Sequence, residues 1–135
     1  YGNMSLPASV KRAIAIGDAN TVQVELDYLR SALTLVRKTQ LQDLADYCED
    51  YRQRSKEDRD TKALESKMSR AKAAQEQIDR TFEDLIETIV RKLEAAATIS
   101  NEKIRELRIK QLERDFETFS NLQKHLVEKL MNIVS

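Results

Sequence analysis

The chain offers reactive chemistry one histidine, His125, and one cysteine, Cys48. Either residue type can act as a base, a nucleophile or a metal ligand, but only with partners at contact distance. His125 falls beside the apolar face of a helical pattern, just before Leu126, in no ligand motif. It reads as a partly exposed bundle histidine. Cys48 is flanked by Asp46, Glu49 and Asp50. Negative neighbours disfavour a thiolate, so Cys48 reads as a small buried hydrophobe.

Carboxylates are plentiful, and Glu83, Asp84 and Glu87 cluster within two turns. Glu83 and Glu87 have the one-turn spacing of a shared metal site. A di-metal bundle would add Glu-x-x-His motifs, which are absent. Solvated helix charge is the expected role. No dinucleotide fingerprint, P-loop, zinc-protease motif or nucleophile elbow occurs. The expectation is a chain that is not an enzyme and uses no metal and no cofactor.

Two basic groups could meet an anion. One is Lys103, Arg105, Arg108, Lys110 and Arg114; Glu102, Glu106 and Glu113 dilute it. The other is Arg52, Arg54, Lys56 and Arg59, diluted by Glu57, Asp58 and Asp60. Lys plus Arg equals Asp plus Glu at 23 each, so the chain advertises no bulk attraction to nucleic acid or anionic lipid. Arg52, Arg54, Lys103, Arg105, Arg108 and Arg114 remain the candidate anion-binding residues. Phosphate backbone is the class they would touch.

The elements that must position these residues are helices. Two glycines and one proline in 135 residues are too few for a turn-rich sheet fold. Residues 1–5 read as a disordered start, with Tyr1-Gly2-Asn3 as an expression scar ahead of Met4. Residues 6–16 read as a short helix with Pro7 at its start and Val10, Ala13 and Ile14 on one face. Gly17 suits the residue after a helix, and Asp18 or Asn20 a cap for the next. The stretch PASVKRAIAIGDANTVQVELD resembles the opening of an ankyrin-type repeat: helix, Gly-Asp, helix. No T-P-L-H element precedes it and no second repeat follows, so no family is assigned.

Residues 20–51 carry Val22, Leu26, Leu29, Leu33, Val36, Gln40, Leu44, Tyr47 and Tyr51 at steps of three and four, a helical stripe. Leu35, Leu41 and Cys48 widen it, which predicts more than one neighbour. Residues 6–51 thus form an N-terminal helical pair. Residues 52–60 form a charged loop or exposed helix, with Asp50–Arg54 and Arg54–Asp58 as candidate pairs one turn apart. Residues 61–97 repeat the pattern through Leu64, Met68, Ala71, Gln75, Ile78, Phe82, Leu85, Ile89, Lys92 and Ala96. Anchoring is expected near residues 78–93. Residues 98–101 predict a break, and residues 101–134 a last helix. Ile104, Leu107, Leu122 and Val134 lie beside its seam. The region 61–134 is read as a hairpin of long coiled-coil helices or, without the break, as one continuous rod.

The fold class expected is all-α: an elongated helical bundle or coiled coil with three long helices and a short N-terminal helix. Function follows from the seams. Ile78, Phe82, Leu85, Ile89, Leu93, Ile109, Leu112, Phe116, Phe119, Leu126 and Leu130 are the expected protein-interaction residues. A scaffold or adaptor is the reading, binding itself as a dimer or another helical protein. The alternative is a nucleic-acid-associated subunit of a larger assembly. A membrane-surface role is disfavoured, since no face is rich in Trp or Phe and flanked by lysines. Without a long apolar run no membrane span is expected. The lone cysteine and lack of a leader suggest a cytoplasmic protein.

Overall fold

The computed structural model describes residues 5–57 and 60–135. They form four helices: α1 (Ala8–Ile16), α2 (Ala19–Arg54), α3 (Thr61–Ala97) and α4 (Glu102–Ile133). No strand occurs among the described residues. The all-helical bundle with one short and three long helices is therefore the observed fold.

Local chemistry sets the ends. Pro7 stays extended, at ψ 141°, and its carbonyl accepts the first helical bond from Lys11. Gly17 ends α1 at φ 79°, a left-handed conformation that costs a side chain about 1 kcal/mol or more. Asp18 then caps α2, accepting from the Asn20 amide and the Thr21 hydroxyl. Asp60 caps α3 through the Ala63 amide, and Asn101 caps α4 through the Ile104 amide. The break at residues 98–101 is real, so 61–134 is not one rod. Thr98 helps close α3 by donating its hydroxyl to the Ala95 carbonyl.

The polar stretch after Tyr51 is divided. Residues through Arg54 remain helical, and Arg54 meets Asp50 at 3.1 Å, as the one-turn spacing predicts. Glu49 accepts from Gln53 and Arg52, which together hold its carboxyl below its ordinary range, Gln53 contributing most. The anticipated Arg54–Asp58 pair, the candidate Arg59, and residues 1–4 lie outside the described residues.

Cross-helix contacts fix direction. Arg30 pairs with Glu87, and Arg37 with Asp79 and Glu83, so α3 runs antiparallel to α2. Lys92 meets Asp115, Phe82 meets Phe119, and Gln123 meets Ile78, so α4 runs antiparallel to α3. The hydrogen bond to Asp79 is the main reason the Arg37 guanidinium holds its proton more tightly than usual.

The core has two parts. The upper cluster joins Val10 and Ile14 of α1, Leu26 and Leu33 of α2, Ile86 to Leu93 of α3, and Phe116 of α4. Here α3 touches three helices, which explains why Ile86 and Val90 are buried beside the main stripe. The lower cluster lacks α1 and is built from Leu44, Cys48, Ala71, Ala74, Ile78, Leu126 and Leu130. With one neighbour fewer to reach, alanine suffices on α3 there. Buried glutamines mark the join. Gln40 sits between Leu33 and Leu44 on α2, and Gln123 between Phe119 and Leu126 on α4. Gln123 donates to the Ile78 carbonyl at 3.2 Å, while Oε1 of both glutamines has no partner among the described residues.

Candidate functional surface

All eleven residues expected to grip a partner are buried within the chain itself. Ile78, Phe82, Leu85, Ile89 and Leu93 of α3 face Ile109, Leu112, Phe116, Phe119, Leu126 and Leu130 of α4 and the other helices; none is more than 9% exposed. The seams are satisfied in cis. Their partner is a helix of the same chain, because a short break at Thr98–Asn101 lets α4 fold straight back on α3.

What remains apolar and wet lies elsewhere. Val24, Tyr28 and Leu35 of α2 are 64%, 76% and 64% exposed. They are spaced four and seven residues apart with Ser31 between, so they form a ladder on the side of α2 opposite Leu26 and Leu33. Leu35 was expected to widen the core stripe; it sits on this outer ladder instead. Val36, expected in the stripe, is 42% exposed. A helix of 36 residues at 3.6 per turn drifts against a strict heptad count, and Gln40 rather than Val36 ends up inside. Ile104, Leu107 and Leu122 of α4 are also exposed, whereas Val134, grouped with them in the sequence, is buried in the lower cluster.

The basic candidates separate into two kinds. Arg52 and Arg54 are engaged by Glu49 and Asp50. Arg105 donates to the backbone carbonyls of Ile99 and Ala15, tying α4 to the ends of α3 and α1. Lys103, Arg108 and Arg114 are exposed and make no ion pair among the described residues. Spacing at i, i+7 and i+11 places Lys103, Lys110 and Arg114 on one outward face of α4.

The reactive candidates stay apart from one another in kind. Cys48 is buried and accepts from the Gln75 amide at 3.0 Å. Burial pushes its thiol pKa up, and the Gln75 bond opposes that only in part. His125 is exposed on α4. Glu83 and Glu87 serve Arg37 and Arg30 across the α2–α3 seam. No cluster of three or more His, Cys, Asp or Glu side chains suited to a metal occurs among the described residues.

The fold and its surfaces define a class, the multi-helix bundle with an outward apolar ladder. Compared with protein-family models, curated proteins and solved structures, the chain shows no match to any. None of the helices, within the described residues, is long and apolar enough to cross a membrane.

Proposed function

We propose that this chain is a non-catalytic helical scaffold that associates through the outer face of α2, first of all with a second copy of itself. The observation that carries the reading is the exposed ladder Val24–Tyr28–Leu35. Exposed apolar residues are ordinary when scattered singly. Three at helical spacing on one face, with small Ser31 between them, match the short seam that another helix covers. The ladder covers about 16 Å of helix at 1.5 Å per residue, so the association is a weak one.

The non-catalytic part of the reading is supported by the side chains with reactive potential. Cys48 is withdrawn into the core, and His125 stands in solvent with no carboxylate hydrogen-bonded to it among the described residues. A reducing, cytoplasmic setting suits the free buried thiol.

Light scattering behind size exclusion over a concentration series tests the association. A concentration-dependent dimer that Tyr28→Glu converts to monomer is the expected result. Wild-type chain that stays monomeric at every concentration overturns self-association. A dimer indifferent to Tyr28→Glu moves the contact away from α2. A second reading, contact with phosphate backbone, rests on the outward line Lys103, Lys110 and Arg114; salt-sensitive retention on nucleic acid that is lost in Lys110→Gln would favour it.

A further inference from the structure

Opposite charges face each other across three helix contacts of this bundle. Lys11 of α1 meets Glu113 of α4 at 3.0 Å, Arg30 of α2 meets Glu87 of α3 at 3.1 Å, and Lys92 of α3 meets Asp115 of α4 at 3.5 Å. The lower edge of the α3–α4 seam breaks that pattern. Lys67 and Arg70 of α3 stand across from His125 and Lys129 of α4, with Glu128 the one carboxylate among them. Together with Asn132 they line an open groove of about 450 Å³. Lys67, Arg70, Lys129 and Glu128 make no ion pair among the described residues. Lys67 is instead steadied by Tyr51 of α2, its ammonium donating to the Tyr51 hydroxyl at 3.2 Å and lying 5.8 Å from the centre of that ring.

We propose that this groove binds a small anion carrying two or more linked phosphate groups. Like charges facing each other across a packed seam repel, and the free protein bears that cost. An anion between the two walls reverses the sign of the interaction. The donor set suits phosphate. The Arg70 guanidinium presents paired N–H donors that match two phosphate oxygens. Lys67 and Lys129 add point charges from opposite walls, and the Asn132 amide and His125 ring supply further donors. A linked pair of phosphates offers oxygens to both walls at once. The volume falls within the range of about 300–1,000 Å³ typical of small-molecule sites.

The test is titration of the full chain with inorganic pyrophosphate and tripolyphosphate, followed by calorimetry and by thermal melting, at low salt and at about 0.15 M salt. Saturable binding is expected, with a raised melting temperature. Arg70→Gln and Lys129→Gln should each weaken it about tenfold or more, the loss of a charge-assisted contact. Lys103→Gln and Lys110→Gln, which remove the same charge from the outward line on α4, should leave it within about twofold, because solvent and salt screen distant charges. Because Arg70 and Lys129 are exposed and make no ion pair among the described residues, the free variants should melt at or above the wild-type temperature. Absence of saturable binding overturns the proposal. So does an equal loss in both sets of variants, which would mean diffuse attraction, or a lower melting temperature in the free groove variants, which would make the cations structural. Binding of a single-stranded oligonucleotide without binding of pyrophosphate would also overturn it, in favour of backbone contact.

Discussion

The rings of Phe82 and Phe119 meet edge to face, 5.2 Å between centroids and 79° between planes. This contact joins α3 to α4 in the upper cluster, where both side chains are buried at 2% and 6% exposure. Its geometry sets the positive edge of one ring against the negative face of the other.

Removing either ring should therefore destabilise the bundle strongly. Phe82→Ala and Phe119→Ala are each expected to cost about 3–5 kcal/mol, the usual penalty for a cavity of that size. Combining them should cost less than the sum, by about 0.5–1.5 kcal/mol for the lost ring pair. Urea unfolding of the four species closes the cycle; strict additivity would show that the rings do not couple.

The glutamine join makes a prediction of opposite sign. Gln40 is 3% exposed and its Oε1 is without a partner among the described residues. Gln40→Leu should stabilise the bundle by about 1 kcal/mol, by relieving an unmet acceptor. Gln123→Leu should come out nearer neutral, since it also forfeits the bond to the Ile78 carbonyl. A raised urea midpoint for the first and little change for the second is the expected pair of results. A loss of stability in Gln40→Leu would point to a buried water serving Oε1.

Cys48 gives the fold a pH dependence on the alkaline side. Its pKa is raised by burial, so the folded chain keeps the thiol proton where the unfolded chain releases it. Its contribution is complete below the unfolded thiol value of about 8.5 and falls as pH rises from there through the folded value. Melting temperature followed across this range should decline in the wild type and decline less in Cys48→Ala. The native thiol should also react slowly with a disulfide reagent at neutral pH, and speed up with urea.

Gly17 isolates a purely conformational effect. A Cβ there would meet nothing within 4 Å, yet φ is +79°. Gly17→Ala should cost about 1 kcal/mol from the backbone alone. Gly17→Asn should cost less, since asparagine tolerates this region better. Equal melting curves for all three would mean that α1 detaches without affecting the rest.

Much of this architecture is legible in the chain. Val10, Ala13 and Ile14 announce the buried face of α1, and Ile78 to Leu93 the anchoring zone of α3. The stop at Gly17 and the cap at Asn101 follow from residue chemistry that acts over a single turn. The charged stretch after Tyr51 is harder. Glu49, Asp50, Arg52 and Arg54 hold each other in a helix by contacts one turn apart, so polarity there did not mean a loop. The outer ladder on α2 was equally present as a spacing at Val24, Tyr28 and Leu35. The longer stripe through Val22, Leu26, Leu29, Leu33 and Leu44 is the one that faces inward, and spacing alone does not say whether another helix of the chain covers the shorter one.

Local sequence determined the helices, their ends and the apolar faces, because propensity, capping and 3.6-residue periodicity all act within a few residues. Only the tertiary structure decided what each face meets. It sent the long seams of α3 and α4 into one another and left Val24, Tyr28 and Leu35 in water. It also brought Lys67 and Arg70 opposite His125 and Lys129, more than fifty residues away. Those outcomes depend on the angle and rotation at which helices pack, and these are set by the fit of side chains from distant parts of the chain.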